Sequence, residues 1–167
     1  IQTITFEPDI AWSPDGKRIA IFANTESGAQ AKAKDTNVFV YNFESRDKIQ
    51  VSNDGASTGA LFSPSGRYLL YQSSTGIHIY DLEGADIKTA DKDLTINASI
   101  SNCAWTSDTE LMVYDNSGAL IKANVSGEKQ EIGYRKDVIP KGVKNVFSKG
   151  DIIYLFASDG AYTIQLN

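Results

Sequence analysis

The side chains that could catalyse a reaction or hold a metal ion are few in this sequence. His78 is the only histidine and Cys103 the only cysteine. A structural zinc site needs four such ligands, and a Ser–His–Asp triad would have to be built on His78 alone. Asp91 and Asp93 lack the further acidic residues of a calcium-binding loop. We therefore predict that the chain is not an enzyme, with no catalytic residues, no metal and no cofactor.

The surroundings of the two unusual residues favour structural roles. His78 alternates with apolar residues over 77–80, which predicts a histidine in a strand that faces solvent or is hydrogen-bonded. Cys103 lies between Asn102 and Ala104, beside an aromatic residue, and is predicted to be a small buried side chain. Neither position points to chemistry.

Charge and hydropathy limit the class of partner. The net charge is −5, and the sequence contains no block of basic residues. Duplex nucleic acid and anionic membranes bind through clustered Lys and Arg, so neither is expected as a partner. No apolar run approaches the roughly 20 residues that span a bilayer. The partner is predicted to be another protein or an adjacent domain of the same chain, with no nucleic acid and no membrane insertion.

One pattern recurs four times along the chain. Each copy has an aromatic residue, a turn that in the first two copies reads Ser-Pro-x-Gly, and an apolar run. The aromatic residues are separated by 50, 43 and 42 residues, and they are Trp12, Phe62, Trp105 and Phe147. A period of about 40–50 residues is typical of one propeller blade. Trp12 and Trp105 take equivalent inner-strand positions in this scheme, and truncating either is predicted to cost about 3–5 kcal/mol.

The segments after each turn predict four antiparallel strands in a unit. The apolar runs are nearly continuous, which predicts strands buried on both faces, and they cover 19–22, 68–71, 111–114 and 152–156. A third strand follows, and then a more polar segment that is typical of an outer edge strand, at 48–51, 87–89 and 129–132. The blades are placed at about 7–52, 57–90, 100–133 and 143–167. Residues 1–6 are predicted to close the last blade as its outer strand.

These residues resemble a known family. Trp-Ser-Pro-Asp-Gly-Lys-Arg-Ile-Ala at 12–20, followed by a hydrophobic-Tyr-Asn-hydrophobic strand, resembles the WD40-like repeat called PD40. That repeat occurs in TolB-type propellers and in the propeller domains of prolyl-oligopeptidase-like enzymes. The resemblance implies an all-β fold, a β-propeller of about four four-stranded antiparallel blades, as a complete small ring or a segment of a larger propeller. It also implies a bacterial protein at a periplasmic, extracellular or cell-surface location, with a cytoplasmic location as the alternative.

The predicted function is a non-catalytic protein-interaction scaffold that presents blade-connecting loops to its partner. The alternative is an accessory, substrate-gating propeller of a prolyl-oligopeptidase-like hydrolase whose catalytic domain lies outside this chain. Binding residues concentrate in loops that a rigid scaffold positions. We expect such loops at one edge of the blades, where 24–37 forms a long insertion between the second and third strands. The candidate partner-binding residues are Glu26, Gln30, Lys32, Lys34, Asp35, Asp54, Tyr134, Arg135 and Lys136.

Overall fold

Strands form where β-branched and aromatic residues concentrate between turns that contain glycine or proline. A computed structural model describes residues 10–24, 36–84, 91–132 and 142–166. Over these residues the chain forms fifteen strands and one short 3₁₀ helix, Ile100–Asn102. None of the described residues forms a helix with the length and apolar composition of a membrane span.

The strands make four sheets in which each strand pairs antiparallel with its neighbour in sequence. The first sheet contains β1 (Ala11–Trp12), β2 (Arg18–Asn24), β3 (Thr36–Asn42) and β4 (Lys48–Gln50). The second contains β5 (Thr58–Phe62), β6 (Tyr68–Gln72), β7 (Ile77–Asp81) and β8 (Asp91–Asp93). The third contains β9 (Cys103–Trp105), β10 (Glu110–Tyr114), β11 (Leu120–Asn124) and β12 (Lys129–Glu131). The fourth contains β13 (Val143–Lys149), β14 (Ile152–Ala157) and β15 (Gly160–Gln165).

Two of the predicted strands lie outside the described residues. These are the polar segment 87–89 and the closing strand 1–6. The outer strand of the second sheet is β8, which begins two residues after the predicted segment ends. The fourth sheet has three strands among the described residues.

Consecutive sheets pack face to face, and a separate apolar core fills each of the three spaces between them. Alternation along a strand divides its side chains between two cores, as for Leu69 on one face and Leu70 on the other. Ala20, Val40, Leu69 and Tyr71 belong to the first core, Leu70, Ile79, Trp105 and Leu111 to the second, and Met112, Leu120, Ile153 and Leu155 to the third. The prediction of strands buried on both faces is confirmed for β6 and β10.

The two Ser-Pro-x-Gly turns have the same hydrogen bonds. In the first sheet, the amide of Gly16 donates to the carbonyl of Ser13 at 2.9 Å. In the second sheet, the amide of Gly66 donates to the carbonyl of Ser63, also at 2.9 Å. Both glycines have positive φ angles, +71° and +78°, which residues with a Cβ rarely adopt. The repeated sequence therefore produces a repeated hairpin.

Trp12 ends the first strand of its sheet as Trp105 does, in agreement with the predicted equivalence, but Trp12 is not buried, so the predicted loss of about 3–5 kcal/mol on its truncation is too large. Trp12 is 58% exposed, whereas Trp105 is 8% exposed. Trp105 packs toward the second sheet, which precedes it, but no described sheet precedes the first one. The indole of Trp12 instead stacks on Phe43, with ring centroids 5.6 Å apart.

The aromatic residue of the fourth copy lies on the opposite face of its sheet from the aromatic residues of the other three copies. Lys149 pairs with Ile152, so that only Gly150 and Asp151 form the turn. Phe147 is 56% exposed and pairs with a residue outside the third core, so it does not occupy the position of Phe62 and Trp105. The turn of this hairpin is also shorter than the two Ser-Pro-x-Gly turns and contains no proline.

Candidate functional site

The loops that link successive sheets lie at the same edge as the turns between second and third strands. Thr36, the first residue of β3, donates from its amide to the carbonyl of Gly55 at 2.9 Å. Ser57 donates in turn from its amide to the carbonyl of Thr36 at 3.0 Å. These bonds confirm that the insertion before Thr36 ends beside the first linking loop. We call this surface the loop edge, and it comprises residues 51–57, 73–76, 94–102 and 115–119.

Asp54 fastens the first linking loop to the second sheet. Its carboxylate accepts hydrogen bonds from the Ser74 amide at 2.9 Å and from the Ser57 hydroxyl at 2.7 Å. Partial burial opposes ionisation, but the hydrogen bonds from Ser74 and Ser57 outweigh it and lower the pKa of this carboxyl. Asp54 is exposed at the loop edge, and its contact with a partner stays a prediction.

The other predicted partner-binding residues lie outside the described residues. They are Glu26, Gln30, Lys32, Lys34, Asp35, Tyr134, Arg135 and Lys136. Two loop-edge residues that were not among the predicted partner-binding residues are Asn97 and Asn116. The amide of Asn116 donates to the carbonyl of Asn97 at 2.9 Å, and their side chains are also 2.9 Å apart. Asn116 precedes Ser-Gly and looks like an ordinary turn residue, so no sequence signal marks this contact.

His78 is the centre of a buried hydrogen-bond cluster in the second sheet. It is 8% exposed, and its Nδ1 lies 3.2 Å from the Asp91 carboxylate, which also accepts from the Tyr71 hydroxyl at 3.0 Å. Its Nε2 lies 2.8 Å from the Thr75 hydroxyl. The prediction of a hydrogen-bonded strand histidine is confirmed. Across the described residues, no three His, Cys, Asp or Glu side chains are arranged to hold a metal ion.

We expect the stability of the protein to depend on pH through His78. Burial disfavours the imidazolium, but the hydrogen bond and charge of Asp91, with Asp93 and Asp54 nearby, outweigh it and raise the pKa of His78 above 6.5. Because the folded-state pKa is raised, the stabilisation is full below pH 6.5 and is lost as the pH rises through the folded-state pKa.

Urea denaturation across this pH range will test the expectation. The free energy of unfolding should fall above about pH 6.5 in the wild type and lose this slope in His78→Gln. His78 is the only histidine, so no second imidazole can contribute to the slope. An unchanged slope in the variant would assign the effect to another group.

A groove lies among the first strands of three sheets. Its volume is about 430 Å³, and its lining is largely apolar, including Leu61, Pro64, Ile100 and Phe147. The Trp105 indole donates to the Leu61 carbonyl at 3.2 Å, and the Ser148 hydroxyl donates to the Trp105 carbonyl. These bonds tie β5, β9 and β13 together. We call this cavity the inner groove.

Cys103 also lines the inner groove, but it is buried and inert. It is 4% exposed, and its thiol lies 3.5 Å from the Ser99 carbonyl. Burial raises the pKa of the Cys103 thiol to about 12, so that the thiolate, the reactive form, is scarce near neutral pH. The prediction of a small buried side chain is confirmed.

A short sequence that resembles a catalytic motif lies at the end of the first linking loop. Residues 55–59 read Gly-Ala-Ser-Thr-Gly, which matches the Gly-x-Ser-x-Gly pattern of α/β-hydrolases. That pattern presents its serine on a strand-to-helix turn, whereas Ser57 precedes β5 and is 0% exposed. Its hydroxyl bonds Asp54 and Ser52, while His78 bonds Thr75 and Asp91. In this protein, the hydrogen bonds of Ser57 to Ser52 and Asp54 hold the first linking loop in place.

Antiparallel sheets that pack face to face, with their first strands together on the inner side, define the β-propeller architecture. The described residues form a segment of about four blades. The predicted all-β propeller fold is therefore confirmed.

Solved structures share this fold at low sequence identity. The C-terminal WD40 domain of Sif2 superposes with a TM-score of 0.60 and 13% identity, over 93% of this chain and 42% of that chain. The tricorn protease superposes with a TM-score of 0.58 and 13% identity, over 95% of this chain and 21% of that chain. This chain thus spans less than half of either. No family model matches the sequence, and no curated protein matches it. The likeness establishes a WD40-like β-propeller fold.

Proposed function

We propose that this chain is a non-catalytic protein-interaction scaffold that presents its loop edge to a partner protein or a neighbouring domain. The observation that carries the proposal is the hydrogen bonding among loops that belong to different sheets. Asp54 joins the first linking loop to the turn at Ser74, and Asn116 joins the third sheet to the loop at Asn97. Loops that are held before binding lose little conformational entropy when a partner docks.

The loop edge adjoins the inner groove, and together they have the composition of an interface. The 3₁₀ helix belongs to the second linking loop and also contributes Ile100 and Ser101 to the groove. Exposed Ser74, Asn97 and Asn116 supply neutral hydrogen-bonding groups around this apolar region. Interfaces commonly place an apolar core inside a polar rim. The partner that fits would insert an apolar side chain into the groove and meet polar groups around it.

The subtype and location belong to the same proposal. The two Ser-Pro-x-Gly hairpins favour a PD40 repeat of the TolB type, and hence a bacterial periplasmic or cell-surface protein. Fractionation of the source cells checks this: recovery in the cytoplasmic fraction would contradict the proposed location.

A second candidate function is an accessory, substrate-gating propeller of a hydrolase. The observation that favours it is the superposition on 21% of a protease chain, the tricorn protease. The two candidates differ in their partner, because the second requires a hydrolase domain beside the loop edge.

Site-specific photocrosslinking in the source cells will test the proposed function. A photoreactive residue at Asn97 or Ser101 samples the loop edge, and one at Glu128 samples the exposed turn before β12 as a matched control. We expect both loop-edge positions to crosslink to the same protein, and Glu128 not to. The purified partner should then bind the wild type and the Glu128→Arg variant equally, but bind Ser101→Arg at least about tenfold more weakly.

The outcomes separate the candidates. A non-hydrolase partner supports the scaffold, and a hydrolase supports the accessory propeller. Crosslinking at Asn97 and Ser101 that does not exceed that at Glu128 would contradict both.

A further inference from the structure

A chain of hydrogen bonds connects buried His78 to two hydroxyl groups at the loop edge. The Nε2 atom of His78 lies 2.8 Å from the Thr75 hydroxyl, and the Thr75 oxygen lies 2.9 Å from the Ser73 hydroxyl. His78 is 8% exposed, whereas Thr75 is exposed and Ser73 is half-buried. The chain therefore joins a titratable group in the interior to the surface of the proposed partner contact.

Asp91 fixes which nitrogen of His78 changes its protonation. Both oxygens of the Asp91 carboxylate lie 3.2 Å from Nδ1, and an ionised carboxylate can only accept hydrogen bonds. Nδ1 therefore carries a hydrogen whether the imidazole is neutral or charged. The hydrogen that His78 gains or loses is the one on Nε2, the atom that faces Thr75.

The directions of the hydrogen bonds in this chain follow from the state of Nε2. When Nε2 carries no hydrogen it is an acceptor, so the Thr75 hydroxyl donates to it and the Ser73 hydroxyl donates to Thr75. Both hydroxyl hydrogens are then used within the protein. When Nε2 is protonated, it donates to the Thr75 oxygen, and the contact between the two hydroxyl groups needs only one of their two hydrogens. The other hydroxyl hydrogen is then free to donate outward.

The turn between β6 and β7, which carries both hydroxyl groups, is fixed by contacts that do not involve His78. The Ser73 amide donates to the Gly76 carbonyl at 2.8 Å, and the Thr75 amide donates to the Ser73 hydroxyl oxygen at 3.1 Å. A Cβ on Gly76 would lie 2.7 Å from the Ile96 carbonyl oxygen, so the turn also packs closely on the second linking loop. Protonation of His78 therefore changes the donors that this turn presents more than it changes the position of the turn.

We propose that His78 makes partner binding at the loop edge pH-dependent, because its protonation frees one hydroxyl hydrogen of Ser73 or Thr75 to donate to the partner. This inference rests on the proposed function, since it concerns the same surface. It adds to that function a defined donor and a pH at which the donor is lost.

The groups around His78 set the direction of the pH dependence. Among the described residues, the titratable groups on this side of the second sheet are Asp91 and Asp93 of β8, Asp54 of the first linking loop, Tyr71 of β6 and Tyr80 of β7. The first sheet packs against this side with apolar residues of the first core. Burial opposes the imidazolium, but the carboxylates outweigh it and raise the pKa of His78 above 6.5. The extra donor therefore exists below this pKa and is lost as the pH rises through it.

The same carboxylates limit the chemistry of the partner group. Asp54, Asp91 and Asp93 all lie close enough to His78 to act on its charge. They would repel a carboxylate of the partner, and like charges brought together at an interface are unfavourable. The group that fits is thus a neutral hydrogen-bond acceptor, such as a peptide carbonyl.

Nuclear magnetic resonance of the free, untagged protein will test the reversal of the hydrogen bonds. His78 is the only histidine, so its two ring nitrogens give the only imidazole signals in a nitrogen-15 spectrum. We expect Nδ1 to be protonated on both sides of the pKa and Nε2 only below it. A neutral imidazole with its hydrogen on Nε2 would overturn the proposal, because Thr75 would then accept from His78 in both states.

Binding of the partner purified after crosslinking at the loop edge will test the use of the donor. The wild type should bind it about fivefold more tightly below the pKa of His78 than above it, since one net hydrogen bond gives a ratio of this size. Thr75→Val and His78→Gln should each lose this difference, whereas Thr75→Ser keeps a hydroxyl and should retain it. Ser117→Ala is the matched control, because it removes an exposed loop-edge hydroxyl that bonds Asp115, and it should leave the pH dependence unchanged.

The outcomes separate this inference from the proposed function. Equal pH dependence in the wild type and Thr75→Val would overturn the inference and leave the scaffold standing. Crosslinking at the loop edge that does not exceed the Glu128 control would contradict the proposed function, and with it the binding role of the two hydroxyl groups, while the nitrogen signals would still decide the reversal. Thr75→Val changes an exposed residue, so it carries the test even where His78→Gln fails to fold.

Discussion

Trp105→Ala will lower the free energy of unfolding by about 3–5 kcal/mol, whereas Trp12→Ala will cost the monomer only about 1–2 kcal/mol. Trp105 is 8% exposed and fills the core between the second and third sheets, so its removal leaves a cavity. Its indole also donates to the Leu61 carbonyl. Trp12 is 58% exposed and loses mainly its stacking on Phe43.

Urea denaturation of both variants, at a concentration where the chain is monomeric, will measure the difference. Trp105→Phe separates two contributions, because it keeps an aromatic ring in the core but loses the hydrogen bond to Leu61, worth about 1 kcal/mol. Equal losses in the two alanine variants would mean that Trp12 is buried in the isolated chain, contrary to the fold described above.

Gly59→Ala will destabilise the protein by about 2–4 kcal/mol, because the position combines a left-handed backbone with a close contact. Gly59 lies at an irregularity in the pairing of β5 with β6, with φ of +64°. A Cβ there would overlap the Cγ2 methyl of Ile100 in the 3₁₀ helix. The substitution therefore strains the backbone and pushes the second linking loop away from the sheet.

Gly16→Ala is the matched control for this prediction. Gly16 also has a positive φ, +71°, but nothing lies within 4 Å of an added Cβ. It should lose only the backbone term, about 1–2 kcal/mol. A double-mutant cycle with Gly59→Ala, Ile100→Ala and the double variant will separate the backbone strain from the contact with Ile100. If the double variant loses as much free energy of unfolding as the two single variants together, the contact with Ile100 is not the cause.

The repeated hairpins could be predicted from the sequence because their signals are local. Ser-Pro-x-Gly sets the turn, and the apolar run after it sets a strand that is buried on both faces. The burial of Trp12 could not be predicted in this way, since it depends on whether another sheet lies against it. The face on which Phe147 lies follows from the register of β13 against the third sheet, which the sequence of the fourth copy does not specify.

The candidate site was less accessible from sequence than the fold. Asp54 was singled out because it lies in a linking loop, and the structure places it at the loop edge. Asn97 and Asn116 meet only through the packing of the third sheet beside the second linking loop, nineteen residues apart in sequence. Residues 55–59 match a hydrolase motif in sequence, but they are followed by a strand and not by the helix that this motif requires. The sequence match alone therefore does not identify a catalytic serine.

The division of the interior into three separate cores has a consequence for how the protein unfolds. Among the described residues, the second and third sheets each have a core on both faces, whereas the first and fourth sheets have a core on one face only. In such a nearest-neighbour array the end units open at a smaller free-energy cost than the middle ones. Amide protons of β6 and β10 would then exchange with solvent more slowly than those of β2 and β14.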